Sequence, residues 1–151
     1  PTHFRSAQFI EVTVDIRTGK VVVNRLIMAV DSGIIVNPIT ASGQIEGGME
    51  QALGYAVSEE MVYDEKGNAR EKDFLDFHIF RSQEIPDLKT IFVQTYESSH
   101  LFGLKAVAEI PMDGVAPVVG NAILDACGAD VTIIPATPER VWKKIHFNGI
   151  N

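Results

Sequence analysis

Apolar and polar residues alternate near the start of the chain. From Ile10 to Ile16 every second residue is apolar, and the residues between them are Glu11, Thr13 and Asp15. This period of two is typical of a half-buried strand. A short loop with a glycine follows at 17–20, and residues 21–30 are apolar enough to predict a strand covered on both faces. The two segments together predict a β-hairpin.

The spacing changes after a group of turn-forming residues at 31–38, and the new period indicates a helix. Thr40 or Ser42 can cap this helix at its N-terminus. Its apolar residues recur at steps of three and four, the pattern of one buried helical face. They are Ile45, Met49, Ala52, Leu53, Ala56, Val57 and Met61. We expect the helix to end before the turn at 64–68.

The remaining chain predicts one more strand and two more helices. Residues 70–88 are predicted to form irregular chain with a short helix or an extended piece before Pro86, and residues 89–98 are predicted to form a strand. A helix is predicted within 111–130, with Asp113 as its N-terminal cap and Gly128 as its C-terminal cap; a last helix over 137–145 begins at the cap Thr137. Strands and helices do not alternate regularly as they do in a doubly wound fold, so we predict the α+β class.

Composition and charge narrow the possible partners. The chain has 151 residues, 46% of them hydrophobic, and a net charge of −7 from 20 acidic and 13 basic side chains. An acidic chain without a basic run is a poor partner for nucleic acid or an anionic membrane, and no apolar stretch has the length of a membrane helix. The single cysteine, Cys127, excludes an internal disulfide and fits a reducing compartment, so we expect a cytoplasmic protein.

The first predicted helix carries a second face of small and amide side chains. On a helical projection this face contains Gln44, Gly47, Gly48, Gln51 and Gly54. A glycine inside a helix costs about 1 kcal/mol relative to alanine, so these glycines need a compensating role. Two readings stay open: tight packing against another element, or close approach of a flat ligand.

A second unusual stretch is "FGLKAVAEIPMDG", residues 102–114. Lys105 and Glu109 bracket three small residues, Ala106, Val107 and Ala108. Small side chains leave backbone amides accessible, and a partly desolvated carboxylate next to them has a raised pKa and can act as a general base. The alternative is that Glu109 is a solvated or salt-bridged carboxylate.

The other chemically reactive residues show no comparable pattern. The four histidines have no neighbours at metal-ligand spacing, and His78 beside Asp76 reads as a surface pair. Ser98, Ser99 and His100 read as a loop, because adjacency in sequence does not make a catalytic triad. We expect Cys127 to be a buried, unreactive thiol. No phosphate-binding loop or dinucleotide fingerprint is present.

Three segments, taken together, resemble a known family. They are "AVDSGIIVNPITASGQIEGGMEQALGYAVSEEM" (29–61), "GLKAVAEIP" (103–111) and "PATPERVW" (135–142). In order and spacing they are similar to the C-terminal part of the molybdopterin-binding subunit of the xanthine dehydrogenase and aldehyde oxidase family. The resemblance covers nearly the whole chain, so we expect residues 1–151 to be the C-terminal portion of a larger molybdopterin-binding domain.

The resemblance implies a hydroxylase that oxidises an electron-poor carbon with oxygen from water. The family's catalytic glutamate falls on Glu109, which implies the role of general base. The family's cofactor-contacting segments fall on Gln44 and on Lys105 to Ala108, where Ala108 replaces a frequent glycine. The molybdenum is held through the dithiolene of the pterin, so no protein metal ligand is expected.

The resemblance also implies partners and cofactors beyond this chain. We expect a molybdenum-molybdopterin cofactor in a dinucleotide form, with iron-sulfur clusters and FAD on partner subunits or domains. The chain begins at Pro1 rather than methionine, so we expect a fragment or one piece of a split subunit that is inactive alone. An N-heterocycle is the expected substrate; the alternatives are an aldehyde, or a subunit-docking module without catalytic activity.

Overall fold

The computed structural model describes residues 3–147. The described chain forms three strands and three α-helices in mixed order, which confirms the predicted α+β class. These elements are β1 (Arg5–Asp15), β2 (Lys20–Asp31), α1 (Pro38–Val57), β3 (Asp87–Phe92), α2 (Ile110–Cys127) and α3 (Pro138–His146). A 3₁₀ turn at Leu101–Gly103 lies between β3 and α2.

The sheet has the order β1-β2-β3. β1 and β2 pair antiparallel as the predicted hairpin, and β2 and β3 pair parallel. Gly19 in the hairpin turn has a φ of +73°, and a Cβ there would collide with the carbonyl oxygen of Pro138 at the start of α3. Glycine at this position therefore permits both the turn and the close packing of α3.

The strands differ from the predictions in length and coverage. β1 begins at Arg5 rather than at Ile10. β3 ends at Phe92 rather than at residue 98. The Val93 N–H group still donates to the Val30 carbonyl, and the chain then leaves the sheet. β2 is not covered on both faces. Leu26, Met28 and Val30 are buried on its inner face, whereas the outward residues keep partial exposure, since the described helices pack on one side only.

The start and end of α1 also differ from the prediction. Asn37 caps the helix and Pro38 occupies the first turn, so Thr40 and Ser42 lie inside it and neither is the cap. The Asn37 Oδ1 atom accepts hydrogen bonds from the backbone N–H groups of Ile39 and Thr40 at 3.1 and 3.2 Å. The helix ends at Val57, so Met61, which is predicted to belong to its buried stripe, lies outside the helix and is exposed.

The second helix begins earlier than predicted, and the third begins as predicted. α2 starts at Ile110, which places Glu109 at the N-cap position and Asp113 within the first turn. Gly128, with a φ of +74°, ends the helix as predicted. Thr137 caps α3 through a bond from the Arg140 N–H group.

The core lies between the inner face of the sheet and the helices. It is formed by the buried side chains of β2 together with the apolar stripes of α1 and α2. Its largest members are Leu26, Met28, Val30, Ile45, Met49, Leu53, Val115, Val119, Ile123 and Val141. Within residues 3–147, no helix has the length and apolar character needed to cross a membrane.

Candidate functional site

A cleft of about 570 Å³ opens beside the N-terminal half of α1. Its walls come from the turn after β2, the first turns of α1 and the segment that leads to α2. Four of the six site residues expected from the sequence line it: Gln44, Lys105, Val107 and Ala108. The fold thus brings together residues that lie some sixty positions apart in the chain.

The other two expected site residues face a different cavity. Ala106 and Glu109 line a smaller space of about 170 Å³, together with Asp113 and the start of β1. Glu109 is exposed, and its side chain makes no capping bond to α2. The sequence predicts a partly desolvated carboxylate, whereas the described residues leave Glu109 exposed.

Paired backbone segments hold the cleft wall in place. Gly33 and Leu104 form an isolated antiparallel bridge. The Lys105 N–H group donates to the Ser32 carbonyl at 3.1 Å, and the Ile34 N–H group donates to the Gly103 carbonyl at 3.1 Å. Gly33 has a φ of +70°, and a Cβ there would collide with the Gly103 carbonyl oxygen. This contact requires glycine because the two backbones approach so closely.

The sequence pattern does not single out Asp31, which bonds to Lys105 of this segment. Its carboxylate accepts hydrogen bonds from Lys105 Nζ at 2.8 Å, Thr95 Oγ1 at 2.6 Å and Gly33 N at 3.1 Å. Desolvation by burial raises the pKa of Asp31, but the bonds from Lys105, Thr95 and Gly33 outweigh it and lower the pKa to about 2. In the sequence, Asp31 belongs to a group of turn-forming residues, and no local pattern connects it to Lys105, 74 residues away.

The glycines of α1 have different surroundings, and a Cβ added at Gly54 would collide with the Glu59 carboxylate. Gly48 lies against α2, where an added Cβ would be 2.9 Å from the ring of Pro111. An added Cβ at Gly43 or Gly47 would meet no atom within 4 Å, and Gln44 is exposed. Helix packing therefore accounts for Gly48 but leaves Gly43 and Gly47 without a partner in the described chain.

The remaining candidates do not assemble into a second site. His78 pairs with Glu84 rather than with Asp76, at 3.1 Å between Nε2 and Oε1. Cys127 is half-buried, and its thiol donates to the Ile123 carbonyl at 3.2 Å. Among residues 3–147, no group of three or more histidine, cysteine, aspartate or glutamate side chains is arranged to hold a metal ion.

Comparison with known proteins identifies the family. Residues 2–86 match the molybdopterin cofactor-binding domain, which is more than half of the chain. The chain belongs to this molybdopterin-binding family. The resemblance seen in the sequence is thereby confirmed.

Relatives of this molybdopterin-binding chain include much longer subunits. It is 37% identical over 143 residues to a putative xanthine dehydrogenase molybdenum-binding subunit of Escherichia coli, covering 94% of the chain and 19% of the relative. It is 33% identical over 140 residues to the carbon monoxide dehydrogenase large chain of Afipia carboxidovorans, covering 91% and 17%. The chain thus spans about a fifth of these relatives.

A solved structure shows the same fold. The aldehyde oxidoreductase from Desulfovibrio desulfuricans superposes with a TM-score of 0.86 at 32% identity. The superposition covers 93% of this chain and 15% of that protein. By name, the relatives compared are a xanthine dehydrogenase subunit, a carbon monoxide dehydrogenase chain and an aldehyde oxidoreductase.

The lining of the cleft in this molybdopterin-binding chain combines neutral polar groups with small side chains. Gln44 presents an exposed amide, and Ala108 presents only a methyl group. The Ser32 Oγ atom beneath the cleft is buried and has no hydrogen-bond partner among the described residues. The charge of Lys105 is already neutralised by Asp31. Neutral polar groups and small side chains fit an uncharged heterocycle better than a phosphate.

Proposed function

We propose that this chain forms one wall of the active site of a xanthine dehydrogenase-like molybdenum hydroxylase. The enzyme would hydroxylate an electron-poor carbon of an N-heterocycle, with water as the source of oxygen. The observation that carries the proposal is the cleft, because it unites Gln44 with Lys105, Val107 and Ala108. The 37% identity to a xanthine dehydrogenase subunit supports the choice of substrate class.

The rest of the active site would come from other parts of a larger assembly. We propose that residues 1–151 are the C-terminal portion of a molybdopterin-binding catalytic domain and are inactive alone. The remaining part of the subunit, an iron-sulfur subunit and an FAD subunit would complete a cytoplasmic complex. The pterin would be present in a dinucleotide form. The short span of this chain within its relatives supports such an arrangement.

Each site residue has a separate task in this proposal. The molybdenum-molybdopterin cofactor, when bound, supplies the redox and oxygen-transfer chemistry. The Gln44 amide would hydrogen-bond to the cofactor and orient it, and the small residues from Ala106 to Ala108 would let their backbone approach it closely. The Glu109 carboxylate would act as the general base that takes a proton from the nucleophile attacking the substrate carbon.

Glu109→Gln in the assembled enzyme tests the assignment of the base. Because glutamine has the same shape but cannot accept the proton, we expect turnover to fall about 10²- to 10⁴-fold. Molybdenum and pterin contents should stay unchanged. The measurement is steady-state kinetics with xanthine and hypoxanthine, alongside metal and pterin analysis of the complex purified through this chain.

Asp113→Asn is the matched control, because Asp113 lines the same small cavity as Glu109 and undergoes the same acid-to-amide change. We expect this variant to keep normal turnover. Unchanged turnover in Glu109→Gln, or a loss confined to Asp113→Asn, would show that Glu109 is not the base.

Two alternatives each rest on an observation. The superposition on an aldehyde oxidoreductase favours an aldehyde substrate, and oxidation of aldehydes but not of purines by the complex would establish it. The exposed apolar side chains of the described chain favour a non-catalytic docking module. A native complex that contains no molybdenum would establish that second alternative.

A further inference from the structure

A partly buried ion pair lies at the wall of the cleft. The side chains of Lys105 and Asp31 keep only 8% and 13% of their exposure, and 2.8 Å separates Nζ from Oδ2. Lys105 Nζ also donates to the His3 carbonyl at 3.4 Å. The ammonium group is therefore engaged within the chain, although Lys105 itself lines the cleft.

The carboxylate of this pair connects three separate segments. Asp31 stands at the end of β2, Thr95 lies in the loop after β3, and Lys105 belongs to the chain that leads to α2. The backbone bonds from Lys105 to Ser32 and from Ile34 to Gly103 join two of these segments at the same place. Side-chain and backbone hydrogen bonds thus hold these segments together at one junction.

The junction is one anchor of a short segment, residues 105–109, which we call the strap. Its other anchor is α2, which begins at Ile110, a residue buried in the core. Between the anchors, Ala106, Ala108 and Glu109 are exposed and belong to no strand or helix. The conformation of the strap consequently depends on how firmly its two ends are held.

We propose that Asp31 and Lys105 are positioning residues, which hold the strap against the cleft and so fix the position of Glu109. This inference rests on the proposed function, in which Glu109 is the base. Removing one charge leaves the other partly buried without its partner, whereas removing both leaves neither charge uncompensated. A comparison of the single and double variants therefore distinguishes the effect of an unpaired charge from the effect of losing the ion pair.

Four variants of the assembled enzyme test the proposal: Lys105→Met, Asp31→Asn, the double variant and Lys105→Arg. Two properties are measured: kcat and KM with xanthine, and amide hydrogen exchange of the peptide that contains the strap. In Lys105→Met we expect kcat to fall at least 10-fold with little change in KM, and exchange of the residue 105 amide, which donates to the Ser32 carbonyl, to quicken at least 10-fold. Lys105→Arg restores the ion pair and should recover most of both losses.

Arg25→Met is the matched control. It removes the cation of the exposed Arg25–Asp87 pair, which has a similar distance of 2.7 Å between Nε and Oδ2 on the same sheet. We expect it to change neither kcat nor strap exchange. In the double variant we expect smaller losses than in Asp31→Asn, because no partly buried charge is left unpaired.

The two readouts separate this inference from the proposed function. Faster strap exchange with unchanged kcat supports the anchoring by the pair and counts against Glu109 as the base. Unchanged strap exchange in Lys105→Met overturns the positioning role, whatever the turnover. Faster exchange throughout the chain, with loss of molybdenum and no recovery in Lys105→Arg, also overturns it, because the pair would then serve general stability.

Discussion

Individual glycines in α1 have different neighbours although they share one helix. Gly48 is close to Pro111 of α2, whereas Gly47 faces open space. The same substitution should therefore have opposite effects at adjacent positions. The difference identifies which glycine the described fold requires, and a helical projection alone does not reveal it.

Gly48→Ala and Gly47→Ala form a matched pair for this prediction. At position 48 the new Cβ would lie 2.9 Å from the Pro111 ring, and we expect a loss of about 1–3 kcal/mol in the free energy of unfolding. At position 47 we expect a gain of about 0.5–1 kcal/mol from helix propensity. Urea unfolding of the chain measures both values.

Equal effects of the two substitutions would contradict this assignment of neighbours. Molybdenum content of the complex adds a second result for Gly47→Ala. A variant that stabilises the chain but lowers molybdenum content would indicate that Gly47 admits the cofactor or a neighbouring backbone.

At the scale of elements, the start of α1 joins fold and site. Asn37 caps the helix, and the same residue lines the cleft. The sequence signal was present, because a proline is favoured in the first helical turn and an asparagine before it is a good cap. The turn-forming residues at 31–38 include Asn37 and Pro38, so the predicted helix starts several residues too late.

Asn37→Ala should therefore weaken α1, and Ser42→Ala should not. The loss of two bonds to backbone N–H groups predicts a decrease of about 1 kcal/mol in the free energy of unfolding, as for other N-caps. Ser42 only donates to Glu46 at 2.8 Å, and its removal should cost less than about 0.5 kcal/mol. Chemical denaturation distinguishes the two, and a larger effect at Ser42 would contradict the cap assignment.

At the scale of the whole molecule, the described chain exposes many large apolar side chains. Leu75, Ile39 and Leu101 keep 90%, 84% and 81% of their exposure. Exposed apolar surface of this kind commonly marks contact with another protein surface. The relatives are about five to six times as long as this chain, which agrees with a surface that is covered in an assembled subunit.

The isolated chain should consequently self-associate as its concentration rises. Sedimentation velocity over a range of concentrations measures this association. The double variant Phe74→Ser/Leu75→Ser should reduce it, because both side chains are exposed at a loop and carry no core packing. A chain that stays monomeric at all concentrations would show that its exposed apolar surface does not drive self-association.

Local patterns predicted most of the elements but not their exact ends or pairing. The alternation around β1 and the stripes of α1 and α2 follow from burial of one face, so they are visible in the order of residues. The parallel pairing of β2 with β3 is not visible there. Nor is the single-sided coverage of β2, because both depend on where distant elements pack.

The sequence by itself determined the element types, the α+β class and the family, because hydrophobic periodicity, capping residues and motif order are local properties of the chain. It also singled out Gln44 and residues 105–109. Only the tertiary structure decided that Gln44, Val107 and Ala108 share a cleft while Glu109 faces another cavity. It alone paired Asp31 with Lys105, because a contact across 74 residues arises from the packing of the whole fold and leaves no periodic signal in the sequence.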